Sequence, residues 1–485
     1  MELHEYAAQD AVGLAELIRS GEITAADAED AARRAIAEVE PTLHATVGDL
    51  FETPPDASAD GVFGGVPFAL KDVAPHLEGQ IVQAGSRWTG DGVRAPADTH
   101  LGRRFRAAGL RIIARTRAPE FAFNATTEPV VHGPTLNPWD LERSVGGSSG
   151  GAAALVAARA LPFAHGTDGG GSIRIPASLT GLVGLKATRF RLPVGPGQWE
   201  ALHGFSHDFV LCRTLRDAAA ALDAFHGPGP GDKYVIPPPA GPYAREPGAD
   251  PGRLRIRWTA DAWSGADVAS ECRAAVEATA RALESSGHEV EQGTPAVDSE
   301  VLLRALLAVW SGGLAHRASL VERAVGGRWN AENVEACTLA MLEVGNALSA
   351  VDFQNGLSDC NAVGRGIGEF FETADVLVLP SAACLPWKLG ELDQNDATLD
   401  AEGWVRKLFD VYAPFTAVFN ITGQPAISLP LAWSDEGLPV GVQLVGRFGD
   451  DATLLRVAAQ LEQQFPWADR IPPIAVGAAD RAAAG

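Results

Sequence analysis

Two serines, Ser148 and Ser172, stand 24 residues apart in loops crowded with glycine. Ser148 lies in Ser-Val-Gly-Gly-Ser-Ser-Gly-Gly (residues 144–151) and Ser172 in Gly-Thr-Asp-Gly-Gly-Gly-Ser-Ile-Arg (residues 166–174). Glycine leaves the backbone bare, so a substrate can approach main-chain N–H groups beside each hydroxyl. N–H groups held in a tight turn suit the oxyanion that forms during acyl transfer. A serine hydroxyl also needs a base before it attacks a carbonyl. His132 and His165 fall in no pattern that commits them, and each is expected to be a surface or satisfied core histidine. Lys71 is different. It follows Val-Pro-Phe-Ala-Leu (residues 66–70), and burial on such a strand would disfavour its ammonium and lower its pKa toward the basic form. Adjacent Asp72 points to the other face of a strand.

Other readings of the first loop are weaker in context. Asn-Pro-Trp (residues 137–139) on one side and a predicted helix on the other make it a short connection in a folded region, not a linker. Gly-Gly-Ser-Ser-Gly (residues 146–150) satisfies the G-x-S-x-G nucleophile elbow, but that motif must follow a buried strand. A proline turn and charged residues (136–143) precede it instead. Neither the P-loop nor the dinucleotide-binding glycine signature occurs there.

The elements that must position these residues alternate between helix and short apolar strand, which defines an α/β class. Two helices are predicted over residues 7–39, the second starting at Thr24 with Asp27 as capping partner and stopping before Pro41. Residues 61–73 form a strand-like run carrying Lys71. A helix over 98–109 closes at Gly109 and a strand over 110–114 follows it, while an alanine-rich helix over 152–159 leaves the first glycine loop. Further on come a helix over 268–287, a buried strand over 375–379, strands over 425–431 and 438–445, and a helix over 451–464. The proline-rich stretch 227–252 wraps the surface, and the last ten residues fray.

At 485 residues the chain can bury a large core, and 46% hydrophobic with 21% charged residues is ordinary for a soluble globular protein. A formal charge of −22 argues against nucleic-acid binding and against docking on anionic lipid. Five scattered cysteines without a C-x-x-C pair suit a reducing compartment, not a zinc site or disulfide framework. The acidic start lacks a signal-peptide pattern, and the longest uncharged run, 411–434, is broken by prolines. The expectation is a cytoplasmic protein.

Taken together, the Lys-Asp that ends an apolar run, Gly-Gly-Ser-Ser-Gly-Gly, and Gly-Thr-Asp-x-Gly-Gly-Ser-Ile-Arg resemble the amidase signature family. Supporting segments are 116–121, 133–139, 181–186 and 423–430; residues 5–225 carry the resemblance well, 370–470 fairly, and 226–369 little. The resemblance implies one amidase domain over 1–485, a large mixed β-sheet flanked by helices on both faces, and a variable substrate-pocket region at about 226–369. It also implies roles. Ser172 is the expected nucleophile, Ser148 the proton bridge after a cis peptide, and Lys71 the base. The N–H groups of Gly169, Gly170, Gly171 and Ser172 are the expected oxyanion donors, with Ser149, Asp168 and Arg174 in support. Gly169 departs from the larger residue that many members carry there.

Within the family the pattern is most similar to the 6-aminohexanoate cyclic dimer hydrolase type, on residues 143–151, 165–166, 175–178, 242–244 and 420–425. The implied reaction is hydrolysis of small linear or cyclic amides through a Ser172 acyl-enzyme, without cofactor or metal. Carbamate (urethane) or aryl acylamide hydrolysis is an alternative. A glutamine amidotransferase A-type subunit is a further one, although residues 300–370 lack that subunit's characteristic half. The expected partner is a small-molecule amide or carbamate, with no nucleic acid and no membrane, for a monomer or homodimer. Trp199, Trp310 and Trp329 lie in the variable parts and could line an apolar pocket. Six arginines between Arg103 and Arg117 read as helical surface charge more readily than as an anion patch.

Overall fold

A computed structural model describes residues 1–74, 76–198 and 200–478. Trp199 and most of the last ten residues therefore lie outside the described residues. The centre is an eight-stranded mixed sheet in the order Glu289–Gln292, Arg255–Trp258, Val376–Pro380, Pro439–Gly446, Ala426–Trp433, Val183–Lys186, His207–Cys212, Phe163–Asp168. The first three strands run parallel to one another and the remaining pairings are antiparallel. Every residue of Phe163–Asp168, Val376–Pro380 and Pro439–Gly446 is buried. Successive side chains on a strand point to opposite faces, so unbroken burial means that both faces are covered. Helices Gly150–Ala157, Arg174–Thr180 and Ser270–Ser285 are among those that pack on it. The expected α/β architecture, a mixed sheet flanked by helices, is what the chain adopts.

Lys71 comes from a smaller piece of sheet. Pro67–Lys71 pairs in parallel with Arg111–Thr116, bringing Lys71 opposite Thr116, and all five residues of the first strand are buried. This pair packs against Phe163–Asp168, the edge strand that leads into the second glycine loop. The first loop, in turn, opens straight into helix Gly150–Ala157, which lies on the same strand. Lys71 and both serines thus converge on one sheet edge.

The two helices expected over residues 7–39 stand at Ala11–Ser20 and Ala25–Leu43, and a short helix, Leu3–Ala8, precedes them. Asp10 caps the first of the two by accepting the Gly13 N–H at 2.8 Å and is held by Arg216. The C-terminal bound of the second needs correction. That helix carries the expected Thr24–Asp27 capping box but runs through Pro41 to Leu43. In the last turn a proline costs little, since few bonds remain to be broken there.

The arginine run is structural. Arg104 donates to the carbonyls of Phe225, Gly227 and Pro228, and Arg117 to those of Thr46 and His132. Arg106, Arg111 and Arg115 pair with Asp98, Glu29 and Asp72. These side chains pin loops across the domain edge, so neither an anion patch nor simple helical surface charge describes them. The region 226–369 contributes the long helices Ser299–Val325, Ala336–Ala347 and Ala350–Thr373, which pack on one another. Among the described residues no single helix is long and apolar enough to cross a membrane.

Candidate active site

Lys71 is fully buried, and its amine sits in a cage of oxygens. Nζ is 2.7 Å from Ser148 Oγ, 2.9 Å from Ser149 Oγ, 2.8 Å from Thr167 Oγ1 and 3.5 Å from the Thr167 carbonyl. Burial holds its pKa well below the ordinary lysine value; the field of Arg317 adds to this, while Asp168 and Asp208 pull the other way. The neighbours then dictate the hydrogen-bond directions. Ser149 Oγ donates to the Thr167 carbonyl at 3.2 Å and accepts the Thr167 N–H at 3.2 Å, so toward the amine it can only accept. A neutral amine has two N–H groups. Given to Ser149 and Thr167, they leave its lone pair for the Ser148 hydroxyl.

Ser148 follows a cis peptide bond from Gly147. The two glycine loops meet directly, the Ser149 N–H donating to the Ser172 carbonyl at 3.2 Å. Ser148 and Ser172 are both almost fully buried, and both line one cavity of about 970 Å³.

Asp168 and Arg174 shape the second loop, and they are far from being a surface ion pair. Both are completely buried, and Asp168 accepts Arg174 Nε and Nη2, each at 2.9 Å. Arg174 also donates to the Thr416 carbonyl (3.0 Å), Gln443 Oε1 (2.7 Å) and Asn420 Oδ1 (2.6 Å). Although burial works against it, the Asp168 carboxyl is held well below its ordinary range by Arg174 and by the hydrogen bond from Asn420. Its oxygens accept the Gly171 N–H at 2.7 Å and the Ile173 N–H at 3.2 Å, bracketing Ser172.

One expected donor is therefore engaged elsewhere. Gly171 gives its N–H to Asp168, which leaves Gly169, Gly170 and Ser172 as the N–H groups of this turn without a protein acceptor among the described residues. Gly171 has φ +131°, and a Cβ there would lie 2.5 Å from Thr416 Oγ1. At Gly170 a Cβ would lie 2.7 Å from the Trp310 ring. The extra room at Gly169 is occupied by Leu202, whose Cδ1 would be 3.2 Å from an added Cβ. Because breaking a fully buried ion pair strands a charge, Asp168→Asn is expected to cost about 3–5 kcal/mol of folding stability, read as a lower urea midpoint.

A second ring of groups was not legible in the sequence. His165 is completely buried, with Nδ1 accepting the Lys71 backbone N–H at 3.3 Å. The proton must then sit on Nε2, 3.1 Å from Asp208 Oδ1, which His76 Nε2 also approaches at 3.1 Å. Burial pushes His165 down to about 4, so the ring is neutral near pH 7. His76, His165 and Asp208 are close enough together to chelate a cation. A ligand to metal must offer a lone pair, however, and His165 Nε2 carries the proton it donates to Asp208. The trio fits an orienting network behind the lysine strand better than a metal centre. His132 is half-buried and lies outside the cage, its carbonyl held by Arg117. Of the three tryptophans, Trp310 lines the cavity and Trp329 does not.

The rest of the cavity wall is largely apolar: Phe121, Phe123, Leu202, Trp310, Leu314 and Phe353. Much of it comes from residues 309–353, within the variable region.

Residues 34–455 match the amidase family, and the chain belongs to it, a hydrolase acting on carbon–nitrogen bonds other than peptide bonds. The resemblance drawn from the motifs thus holds. The chain is 36% identical over 477 residues to a 6-aminohexanoate-cyclic-dimer hydrolase of Pseudomonas sp. (strain NK87), covering 96% of this chain and 97% of the relative. A solved structure of 6-aminohexanoate cyclic dimer hydrolase superposes with a TM-score of 0.89 at 34% identity, over 96% of this chain and 99% of the other. A bacterial aryl acylamidase of the amidase signature family, at 23% identity, shares the fold with a TM-score of 0.82 over 95% and 97% of the two chains.

Proposed function

We propose that the chain hydrolyses small linear or cyclic amides through an acyl-enzyme on Ser172, with Ser148 as proton bridge and Lys71 as base. The observation that carries this reading is the buried lysine amine, 2.7 Å from Ser148 Oγ, with its pKa held well below the ordinary lysine value by burial. Lys71 takes the Ser148 proton as Ser148 takes that of Ser172. Ser172 Oγ bonds to the substrate carbonyl carbon, and the carbonyl electron pair moves onto oxygen, facing the N–H groups of Gly169, Gly170 and Ser172. The relay then reverses. Lys71 returns its proton through Ser148 to the departing nitrogen, the C–N bond breaks, and the ester remains on Ser172. Water gives a proton to the same relay and attacks the ester. The C–Oγ bond breaks, Ser172 regains its hydrogen, and the acid leaves.

Cyclic or linear amides of modest size suit a cavity of about 970 Å³ with a mostly apolar wall, and the two similar cyclic-dimer hydrolases support that class. Carbamates and anilides present the same carbonyl and amine leaving group. An amidotransferase-type subunit is disfavoured by the acidic charge of −22, which opposes work on tRNA. The reading carries one amidase domain whose 226–369 segment tunes the pocket, and a cytoplasmic location supported by five free cysteines. Its test is a product-release assay across linear amides, cyclic amides, anilides and carbamates, repeated after EDTA treatment. Turnover of at least one class, unchanged by chelation, is expected. Activity lost to EDTA and restored by zinc contradicts it.

A further inference from the structure

Among the described residues, Glu200 and Lys233 on the cavity wall pair with each other, while Arg317 on the same wall is a charge that the mechanism leaves unused. It lies on helix Ser299–Val325, and Trp310, Leu314 and Arg317 share one face of that helix by their spacing, all lining the cavity. The guanidinium donates through Nη2 to the Val73 carbonyl, two residues beyond the lysine, and its carbon lies 5.7 Å from the centre of the Phe121 ring. It forms no ion pair among the described residues. The carboxylates nearby are committed: Asp72 to Arg115 at 3.1 Å, Asp208 to two histidines at 3.1 Å, and Glu200 to Lys233 and His203. An arginine taken largely out of water without a counter-ion is costly, and its planar fork matches a carboxylate in two parallel hydrogen bonds.

We infer that Arg317 anchors a carboxylate on the substrate, so that the favoured amides carry an acid group that reaches the wall beside Val73. This rests on the amide-hydrolase reading above and names its substrate class. The anchor divides the cavity into a polar end formed by Ser172 and the glycine turn, an aromatic middle of Phe121, Phe123 and Trp310, and a cationic point at Arg317. A substrate with a free acid is held at both ends; its ester is held at one.

The experiment compares monoamides of straight-chain dicarboxylic acids of increasing length with their methyl esters, scored by ammonia release. Wild type is expected to favour the free acid of at least one length about tenfold or more in kcat/KM, and Arg317→Met to bring that ratio to about one. Arg317→Lys, which keeps the charge without the fork, should retain part of the preference and guards against misfolding of the methionine variant. An acid-to-ester ratio near one in wild type overturns the proposal, as does a ratio unchanged in Arg317→Met. The second outcome, with the pH–rate profile displaced, would mean that Arg317 acts only through Lys71. Calorimetric binding of the free dicarboxylates to Ser172→Ala, with and without Arg317→Met, needs no turnover. Binding that depends on Arg317 in a chain that cleaves no amide would contradict the reaction and keep the anchor. Absence of binding, or binding indifferent to Arg317, overturns the anchor itself.

Discussion

Ser172→Ala is expected to lower kcat by about a millionfold, the scale on which serine hydrolases lose rate when the nucleophile is removed. The alanine leaves the glycine turn intact, because the turn is held by Asp168 on the N–H groups of Gly171 and Ile173 and by Thr416, whose hydroxyl donates to the Gly170 carbonyl at 2.6 Å. Folding stability should therefore stay close to wild type, and substrate should still bind. Steady-state kinetics together with a thermal melt checks both halves. Ser148→Ala makes a useful contrast. It keeps the nucleophile but interrupts the path to Lys71, so a residual rate well above that of Ser172→Ala is expected.

Replacing Lys71 by methionine, which keeps the length of the side chain and removes the base, is expected to cost about 10⁴-fold, the upper range for a positioned general base. Its pH signature is as informative as its size. Lysine acts as a base only when neutral, and it is neutral above its pKa. Burial holds that pKa well below the ordinary 10.5. The wild-type kcat/KM should therefore climb with pH through the depressed value and level off well before pH 10.5. In Lys71→Met that acid limb should vanish along with most of the rate. A wild-type limb centred near 10.5 would place the base in solvent, contrary to the cage around Nζ.

The sequence carried the candidate catalytic residues further than their supports. Lys71, Ser148 and Ser172 were legible because each chemical need leaves a local mark: an apolar strand that buries an amine, and glycines that bare a turn. Ser149, Asp168 and Arg174 were legible for the same reason, lying inside those two motifs. Thr167 sits in the second motif too and was overlooked. Its value appears only when the strand Phe163–Asp168 lies beside Pro67–Lys71 and its hydroxyl reaches Nζ at 2.8 Å. His165 is the satisfied core histidine that was one of its two expected readings, but its contact with the Lys71 N–H was not legible, because Lys71 and Asp208 reach it from two distant segments. Thr416, Asn420 and Gln443 reach Asp168 and Arg174 from more than 240 residues away, a closeness that only the sheet order creates. Arg317 has no motif at all. It is one arginine on a long helix until the fold points that helix at the cavity.

The α/β class was legible in the alternation of helix and strand and the mixed sheet was implied by the family resemblance, while the strand order was not. Order depends on which apolar runs find one another across long separations, and periodicity is blind to that.

The most direct test of the central claim is the mass of the protein during turnover. Wild type should be mixed with an activated ester such as p-nitrophenyl hexanoate, quenched in acid within the first turnover, digested and mapped. One acyl group per chain is expected, on the peptide bearing Ser172, and none in Ser172→Ala. Acylation of Ser148 instead, or turnover with no covalent intermediate in a protein that hydrolyses the ester at full rate, would contradict the assignment of Ser172 as nucleophile.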